Sequence, residues 1–314
     1  MTDACLLICG APFSEDERAR LAATHPALFA ATPDDIAALP EDQRRGIRAL
    51  AYKGHLPLGG AAMDALPGLG LIANYGVGYD AIDTGAAVAR GVRVTNTPDV
   101  LNDDVADLAV GMMLAFSRQL VAGEALVRSG GWATRALPLN RKFSGAKVGI
   151  LGLGRIGREI ADRLAAFKTE IHYTSRGPKD TPGWTYHADP VALARAVDWL
   201  VVALVGGPDT AGTVNAAVLD ALGPEGVIVN ISRGTTIDEA ALLDALEAGR
   251  IGGAALDVFL NEPAIDPRFR ALGNVLLQPH QGSGTVATRA AMLALQIDNI
   301  TAFLEDRPLL TPVA

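Results

Sequence analysis

The stretch Val148–Gly157, VGILGLGRIG, constrains this chain more than any other. Val148–Leu151 is a short apolar run that reads as a buried strand, and the apolar residues of Arg158–Phe167 recur at helical spacing. Between them stands Gly152-Leu-Gly154-Arg-Ile-Gly157. A G-x-G-x-x-G alone can be any turn, but between a strand and a helix it is specific. Gly152 permits the tight turn, Gly154 lets a pyrophosphate approach the backbone, and Gly157 lets helix and strand pack closely. The helix N-terminus adds free N–H groups and a partial positive charge. The stretch therefore reads as a dinucleotide-binding loop.

At 314 residues the chain exceeds a usual single domain, so two are expected. Apolar residues make up 49%, enough for large cores, yet no run approaches the ~18 residues of a membrane span. The N-terminal MTDACLLICG has neither a basic flank nor a cleavage pattern, so no signal peptide is read there and a cytoplasmic location is expected. A net charge of −8 argues against a nucleic-acid surface but not against a small anionic ligand. Cys5 and Cys9 are the only cysteines, and no His or Cys cluster suggests a metal. Free thiols in a reducing compartment are the expectation.

The first hundred residues alternate between strand and helix patterns. Strands are expected at Cys5–Cys9, Gly46–Ala51, Leu69–Ala73 and Val92–Thr95, with helices at Glu15–Ala23 and Ala61–Leu66. Such alternation implies a parallel sheet. After Leu69–Ala73 comes Asn74-Tyr-Gly76-Val77-Gly78, a turn whose backbone N–H groups can hold a carboxylate. Asn96-Thr97-Pro98 reads as a crossing between domains. Leu101–Phe116, opened by Asn102 as cap, is apolar on nearly all sides and so is buried in its own domain or against a second subunit.

From Lys147 the pattern becomes regular. Strands are expected at Val148–Leu151, Glu170–Thr174, Trp199–Ala203, Val227–Asn230, Ala254–Leu256 and Val275–Leu277, as in a doubly wound sheet. An NAD site places an acid at the end of the second strand, roughly 20 residues beyond the glycines. Here that strand runs into Ser175-Arg176-Gly-Pro-Lys179, with no acid and two cations. A hydroxyl and a guanidinium suit a 2′-phosphate, so NADP is expected as the cofactor.

Later strand ends carry Asn230-Ile231-Ser232-Arg233-Gly234, then Asp257 with Glu262-Pro263, then Pro279-His280-Gln281-Gly282. Reduction of a 2-oxo acid calls for this set. Arg233 can bind the carboxylate and polarise the carbonyl, and His280 can supply a proton, since imidazole titrates near neutrality. Glu262, if paired with it, holds the ring. Asp257 can accept from a nicotinamide carboxamide.

With these motifs in view, the chain resembles the D-isomer-specific 2-hydroxyacid dehydrogenase family over essentially its full length. The resemblance rests on Gly76-Val-Gly78, Gly152-Leu-Gly154-Arg-Ile-Gly157, Asn-Ile-Ser-Arg233-Gly, Asp257-Val-Phe with Glu262-Pro, and Pro279-His280. It implies Arg233, Glu262 and His280 as the catalytic set, with Val77, Gly78, Arg233 and His280 contacting substrate. The cofactor contacts expected are Gly152, Gly154, Arg155, Ile156, Gly157, Ser175, Arg176, Ile231, Asp257 and Gly282. It implies an α/β fold of two Rossmann-like or flavodoxin-like domains, each a doubly wound parallel sheet, with a cleft between them. The outer domain would comprise residues 1–96 plus 284–314, and the dinucleotide-binding domain residues 97–283. In that arrangement Ala290, Leu293, Ile297, Ile300 and Phe303 dock on the outer domain. A homodimer through helices near 101–135 is implied.

Ala221-Leu-Gly-Pro, His280-Gln-Gly282-Ser-Gly-Thr285 and Leu310-Thr-Pro312 look most like glyoxylate/hydroxypyruvate and hydroxyphenylpyruvate reductases. Where many relatives carry L-P-L-T this chain has Leu204-Val-Gly206-Gly207-Pro208, which alters the adenosine side. The function implied is NADPH-dependent reduction of small 2-oxo acids such as glyoxylate and hydroxypyruvate. Reduction of an aromatic acid such as 4-hydroxyphenylpyruvate is the alternative, and a dinucleotide-sensing corepressor on the same fold is a third reading.

Overall fold

The computed structural model describes residues 4–313, so residues 1–3 and 314 of the expected outer domain lie outside the described residues. The chain forms two compact units, Met1–Val100 with Thr285–Ala314, and Leu101–Gly284.

The first unit holds a five-stranded sheet of β1 (Leu6–Cys9), β2 (Ala27–Ala30), β3 (Ala49–Tyr52), β4 (Leu71–Asn74) and β5 (Arg93–Thr95). All are parallel, in the order β2-β1-β3-β4-β5. β1, β3 and β4 are four-residue strands buried along their whole length, as apolar runs covered on both faces must be. β2 escaped the sequence reading because it is a half-exposed edge, with Phe29 open to solvent. The strand expected from Gly46 begins at Ala49, because Gly46 and Ile47 close the preceding turn through hydrogen bonds to Gln43 and Arg44.

The helix Val286–Leu304, capped by Thr285, packs on β3 and β4 of this unit. Its buried face differs from the expected one. Leu293, Ile300 and Phe303 are buried as expected, but Ala290 is exposed and Ile297 only half-buried. Gln296 and Asn299 take the inner positions instead. The Gln296 amide donates to the carbonyls of Ala73 (2.7 Å) and Tyr52 (3.3 Å) at the ends of β4 and β3. Asn299 accepts from the N–H groups of Leu310 (3.0 Å) and Thr311 (3.2 Å) and donates to Leu295 O and Thr311 Oγ1. It thereby holds the tail that bridges Thr95 through Pro312.

The second unit is a seven-stranded parallel sheet in the order β12-β11-β10-β9-β6-β7-β8. Its strands are β6 (Lys147–Leu151), β7 (Glu170–Thr174), β8 (Thr185–Tyr186), β9 (Trp199–Val202), β10 (Val227–Asn230), β11 (Gly253–Leu256) and β12 (Val275–Leu277). The two-residue edge β8 carries no apolar run and was not anticipated. One core cluster gathers Leu151, Leu200, Val202, Ile228 and Leu256 with residues of the flanking helices. The helix expected at Leu101–Phe116 spans Asn102–Ser117, with Leu101 rather than Asn102 in the capping position. Left-handed Gln119 (φ 50°) then breaks the chain into a second helix, Leu120–Arg128. Among the described residues no single helix is long and apolar enough to cross a membrane.

Asn299 is the polar residue on which the first unit leans most. Asn299→Ala strands two part-buried N–H groups and is expected to cost about 2–3 kcal/mol. Urea unfolding measures this; an unchanged midpoint would contradict the role.

Candidate active site

β6 runs directly into the glycine loop and the helix Arg155–Ala165. Gly152 adopts φ 103°, and a Cβ there would lie 2.7 Å from the Ala203 carbonyl oxygen. A Cβ on Gly157 would stand 2.1 Å from the Gly152 carbonyl oxygen, so helix and loop touch backbone to backbone. Gly154 is different. A Cβ there would meet nothing within 4 Å, which leaves open space at the helix N-terminus. The Gly152 N–H donates to Thr174 O (3.0 Å) and ties this loop to the end of β7. Beyond β7, Ser175 Oγ donates to Gly177 O (2.5 Å), and Arg176 is exposed.

At the end of β10, Asn230 is 1% exposed and folds its amide over the residues that follow. Its Oδ1 accepts from Ser232 N (3.0 Å) and its Nδ2 donates to Arg233 O (3.0 Å). Thr236 Oγ1 donates to the same carbonyl at 2.6 Å. The backbone of Arg233 is thus held from two sides. Ile231 is buried, with its N–H directed at Val202 O (3.4 Å).

The third cluster joins the ends of β11 and β12. His280 Nδ1 lies 2.6 Å from Glu262 Oε2, and Glu262 Oε1 accepts from Phe259 N (2.8 Å). The expected pair is formed, and both side chains keep partial exposure. His280 sits in the left-handed region at φ 54°, a conformation that costs a non-glycine residue energy. What holds it is Asp257. The main-chain carbonyl of Asp257 accepts His280 N (2.9 Å), and its carboxylate accepts Gln281 N (2.6 Å) and Gly282 N (2.8 Å). Burial pushes the Asp257 carboxyl above its ordinary range, while those two N–H groups and the nearby His280 favour the ion.

Asp257 is 1% exposed and each of its oxygens already receives a backbone N–H. The Gly282 N–H is one of those donors. In this structure Asp257 fastens the turn that carries His280.

In the first unit, the loop after β4 is held by amides that sequence reasoning did not single out as functional. Asn74 Nδ2 donates to Gly76 O (3.1 Å) and Gly78 O (2.9 Å), and Asn96 Nδ2 donates to Val77 O (2.8 Å). Gly76 N donates to Thr97 Oγ1 (3.0 Å). All three carbonyls are drawn back, and the N–H groups of Val77 and Gly78 make no hydrogen bond among the described residues. The signal in the sequence was an amide ending an apolar strand. Beside the loop, Tyr75 donates its hydroxyl to Arg289 O (3.0 Å), and burial pushes its titration up to about 12.

Residues 110–282, more than half of the chain, match the family described as "D-isomer specific 2-hydroxyacid dehydrogenase, NAD binding domain". The hydroxyphenylpyruvate reductase of Plectranthus scutellarioides is 46% identical over 86% of this chain and 87% of its own length. A glyoxylate/hydroxypyruvate reductase A of Arabidopsis thaliana is 45% identical over 90% of both. Among solved structures, the NADPH-dependent glyoxylate/hydroxypyruvate reductase of Sinorhizobium meliloti, in complex with NADP and malonate, is 43% identical with a TM-score of 0.93. That alignment covers 98% of this chain and 96% of the other.

The chain belongs to the D-isomer specific 2-hydroxyacid dehydrogenase family.

It is an NAD(P)-dependent dehydrogenase, similar in type to the glyoxylate/hydroxypyruvate reductases. The second unit fits the dinucleotide this requires. The space in front of Gly154 is where a side chain would intrude on a pyrophosphate, and the first-turn N–H groups of Arg155–Ala165 border it.

Two glycine substitutions separate folding from binding. Gly154→Ala is expected to leave the urea midpoint unchanged and weaken dinucleotide binding about tenfold. Gly157→Ala forces the helix off its loop and is expected to lose both, with about 1–3 kcal/mol of stability. Calorimetric titration beside urea unfolding checks the pair; equal behaviour of the two variants would contradict the assignment.

Proposed function

We propose that the enzyme uses NADPH to reduce small 2-oxo acids, glyoxylate and hydroxypyruvate foremost, to the corresponding D-2-hydroxy acids. The observation that carries this is the 2.6 Å His280–Glu262 pair, at the strand ends of a sheet that bears a dinucleotide loop. When bound, NADPH supplies the hydride that adds to C2 of the oxo acid. The residues of this chain do the rest. The Arg233 guanidinium binds the substrate carboxylate and polarises the 2-carbonyl, while the N–H groups of Val77 and Gly78 are further donors to the carboxylate.

As C2 accepts the hydride, the carbonyl π pair moves to oxygen, and His280 delivers its Nε2 proton there. Nδ1 is engaged by Glu262, so the transferred proton is assigned to Nε2. The Glu262 carboxylate holds the ring in orientation for this transfer. The neutral imidazole then regains a proton from water.

Two observations support NADPH over NADH. No acid stands between the end of β7 and Lys179, and Arg176 is exposed with no side-chain partner among the described residues. The S. meliloti relative carries NADP in its structure. The substrate choice follows the relatives named for glyoxylate and hydroxypyruvate. The Plectranthus relative, named for hydroxyphenylpyruvate and 46% identical, supports the aromatic acid as a second reading. Leu120, Val121, Val127, Trp132 and Leu139 are exposed along one segment, which supports a homodimer formed through residues 101–135.

His280→Ala is expected to lower kcat by roughly 10²–10⁴-fold while NADPH still binds. Glu262→Gln removes the anion that holds the ring and is expected to lower kcat by less than His280→Ala does. Steady-state rates check both; an unaltered kcat in the first variant would remove His280 from the mechanism. Arg176→Ala is expected to weaken NADPH much more than NADH, and equal effects would refute the phosphate contact.

A further inference from the structure

We propose that Tyr173 is a positioning residue for cofactor selectivity. Its buried hydroxyl fixes the turn Ser175–Lys179 so that Lys179 joins Arg176 as a second cation for the 2′-phosphate. The assignment rests on the NADP reading above and deepens it.

Tyr173 is the fourth residue of β7 and 1% exposed, with its ring 5.5 Å from that of Tyr186 on the edge strand β8. A tyrosine buried this deeply must satisfy its hydroxyl. It does so on one residue of the following turn. The oxygen accepts Lys179 N–H (2.8 Å), and the hydroxyl hydrogen is donated to Lys179 C=O (3.2 Å). Both backbone groups of Lys179 are therefore pinned to the core. Within the turn, Ser175 Oγ donates to Gly177 O (2.5 Å), and Pro178 fixes its own φ. The Ser175 hydroxyl thus also shapes the turn. The returning chain is fastened by Thr174 Oγ1 to His187 O (3.1 Å) and His187 N to Tyr173 O (2.8 Å).

The cations on this turn contrast with their neighbour. Arg158 donates to Asp180 O (2.7 Å), faces Asp162 (3.6 Å) and lies over the Trp184 ring (4.9 Å). Arg176 and Lys179 are exposed and have no side-chain partner among the described residues. Two like charges three residues apart repel, and a loose turn would let them separate. Binding a doubly charged phosphate would then include the entropy of gathering them. A turn clamped through a buried hydroxyl meets that cost in folding. NADH has no 2′-phosphate and gains nothing from the clamp.

The test is direct binding of NADPH and NADH, by quenching of protein fluorescence, to the wild type, Tyr173→Phe, Lys179→Ala, Arg176→Ala and the Tyr173→Phe/Arg176→Ala double variant. Tyr173→Phe keeps the ring and removes the clamp. It is expected to raise the Kd for NADPH about fivefold and that for NADH less than twofold. Lys179→Ala should discriminate in the same sense. In the Arg176→Ala background, Tyr173→Phe should add much less than it does alone, because both act on one phosphate. Pro178→Gly loosens the turn without touching the core and should also weaken NADPH selectively, which keeps the test usable if Tyr173→Phe folds poorly. Equal weakening of both cofactors by Tyr173→Phe and Pro178→Gly would overturn the proposal. So would discrimination by Arg176→Ala with none from Tyr173→Phe, and that result would leave the NADP reading standing. If Arg176→Ala itself fails to discriminate, the NADP reading falls and the role of Tyr173 with it.

Discussion

The central strands of both sheets, β4, β9 and β10 among them, are covered on both faces, so a polar side chain buried in one must find a hydrogen-bond partner. β4 and β10 end in the same way. Asn74 and Asn230 are their last residues, 4% and 1% exposed, and each turns its amide onto the carbonyls of the loop that follows. A buried amide left unmet costs about 1–3 kcal/mol, so each loop is held by the burial of the strand before it. In one unit this turns the carbonyls of Gly76 and Gly78 inward, Asn96 draws back that of Val77, and the N–H groups of Val77 and Gly78 are left over. In the other it sets the backbone of Arg233.

The turn carrying His280 obeys a related rule with a charge in place of the amide. A left-handed histidine is strained by about 1–3 kcal/mol. The three hydrogen bonds it and its neighbours make to Asp257 offset that strain, and the 2.6 Å contact with Glu262 fixes the ring. Position therefore comes from Asp257 and orientation from Glu262.

The sequence disclosed what depends on uniform environment. Four-residue apolar runs such as Leu6–Cys9 and Val227–Asn230 are buried throughout and read as strands at once. The strand–glycine–helix passage at 148–157, and the strand-end positions of Arg233, Glu262 and His280, were legible for the same reason. Edges were not: Ala27–Ala30 is an apolar run whose half-exposed edge position nothing in its composition marks, and Thr185–Tyr186 has only two residues. Polar residues that face inward misled most. Gln296 and Asn299 were not among the docking positions expected on the helix Val286–Leu304, because their partners are main-chain groups of β3, β4 and the C-terminal tail, which no spacing along the helix reveals. The hold of Asp257 on Gln281 and Gly282 was not legible, since these backbone donors lie more than twenty residues away in sequence.

The central claim is that this apparatus reduces a small 2-oxo acid at the expense of NADPH. Loss of absorbance near 340 nm tests it most directly, with NADPH and then NADH, against glyoxylate, hydroxypyruvate, 4-hydroxyphenylpyruvate, pyruvate and phenylpyruvate. The account predicts rapid oxidation of NADPH with glyoxylate and hydroxypyruvate, and slower oxidation of NADH. Preference for the aromatic acids would keep the mechanism and move the substrate. Absence of turnover with all five would contradict the account.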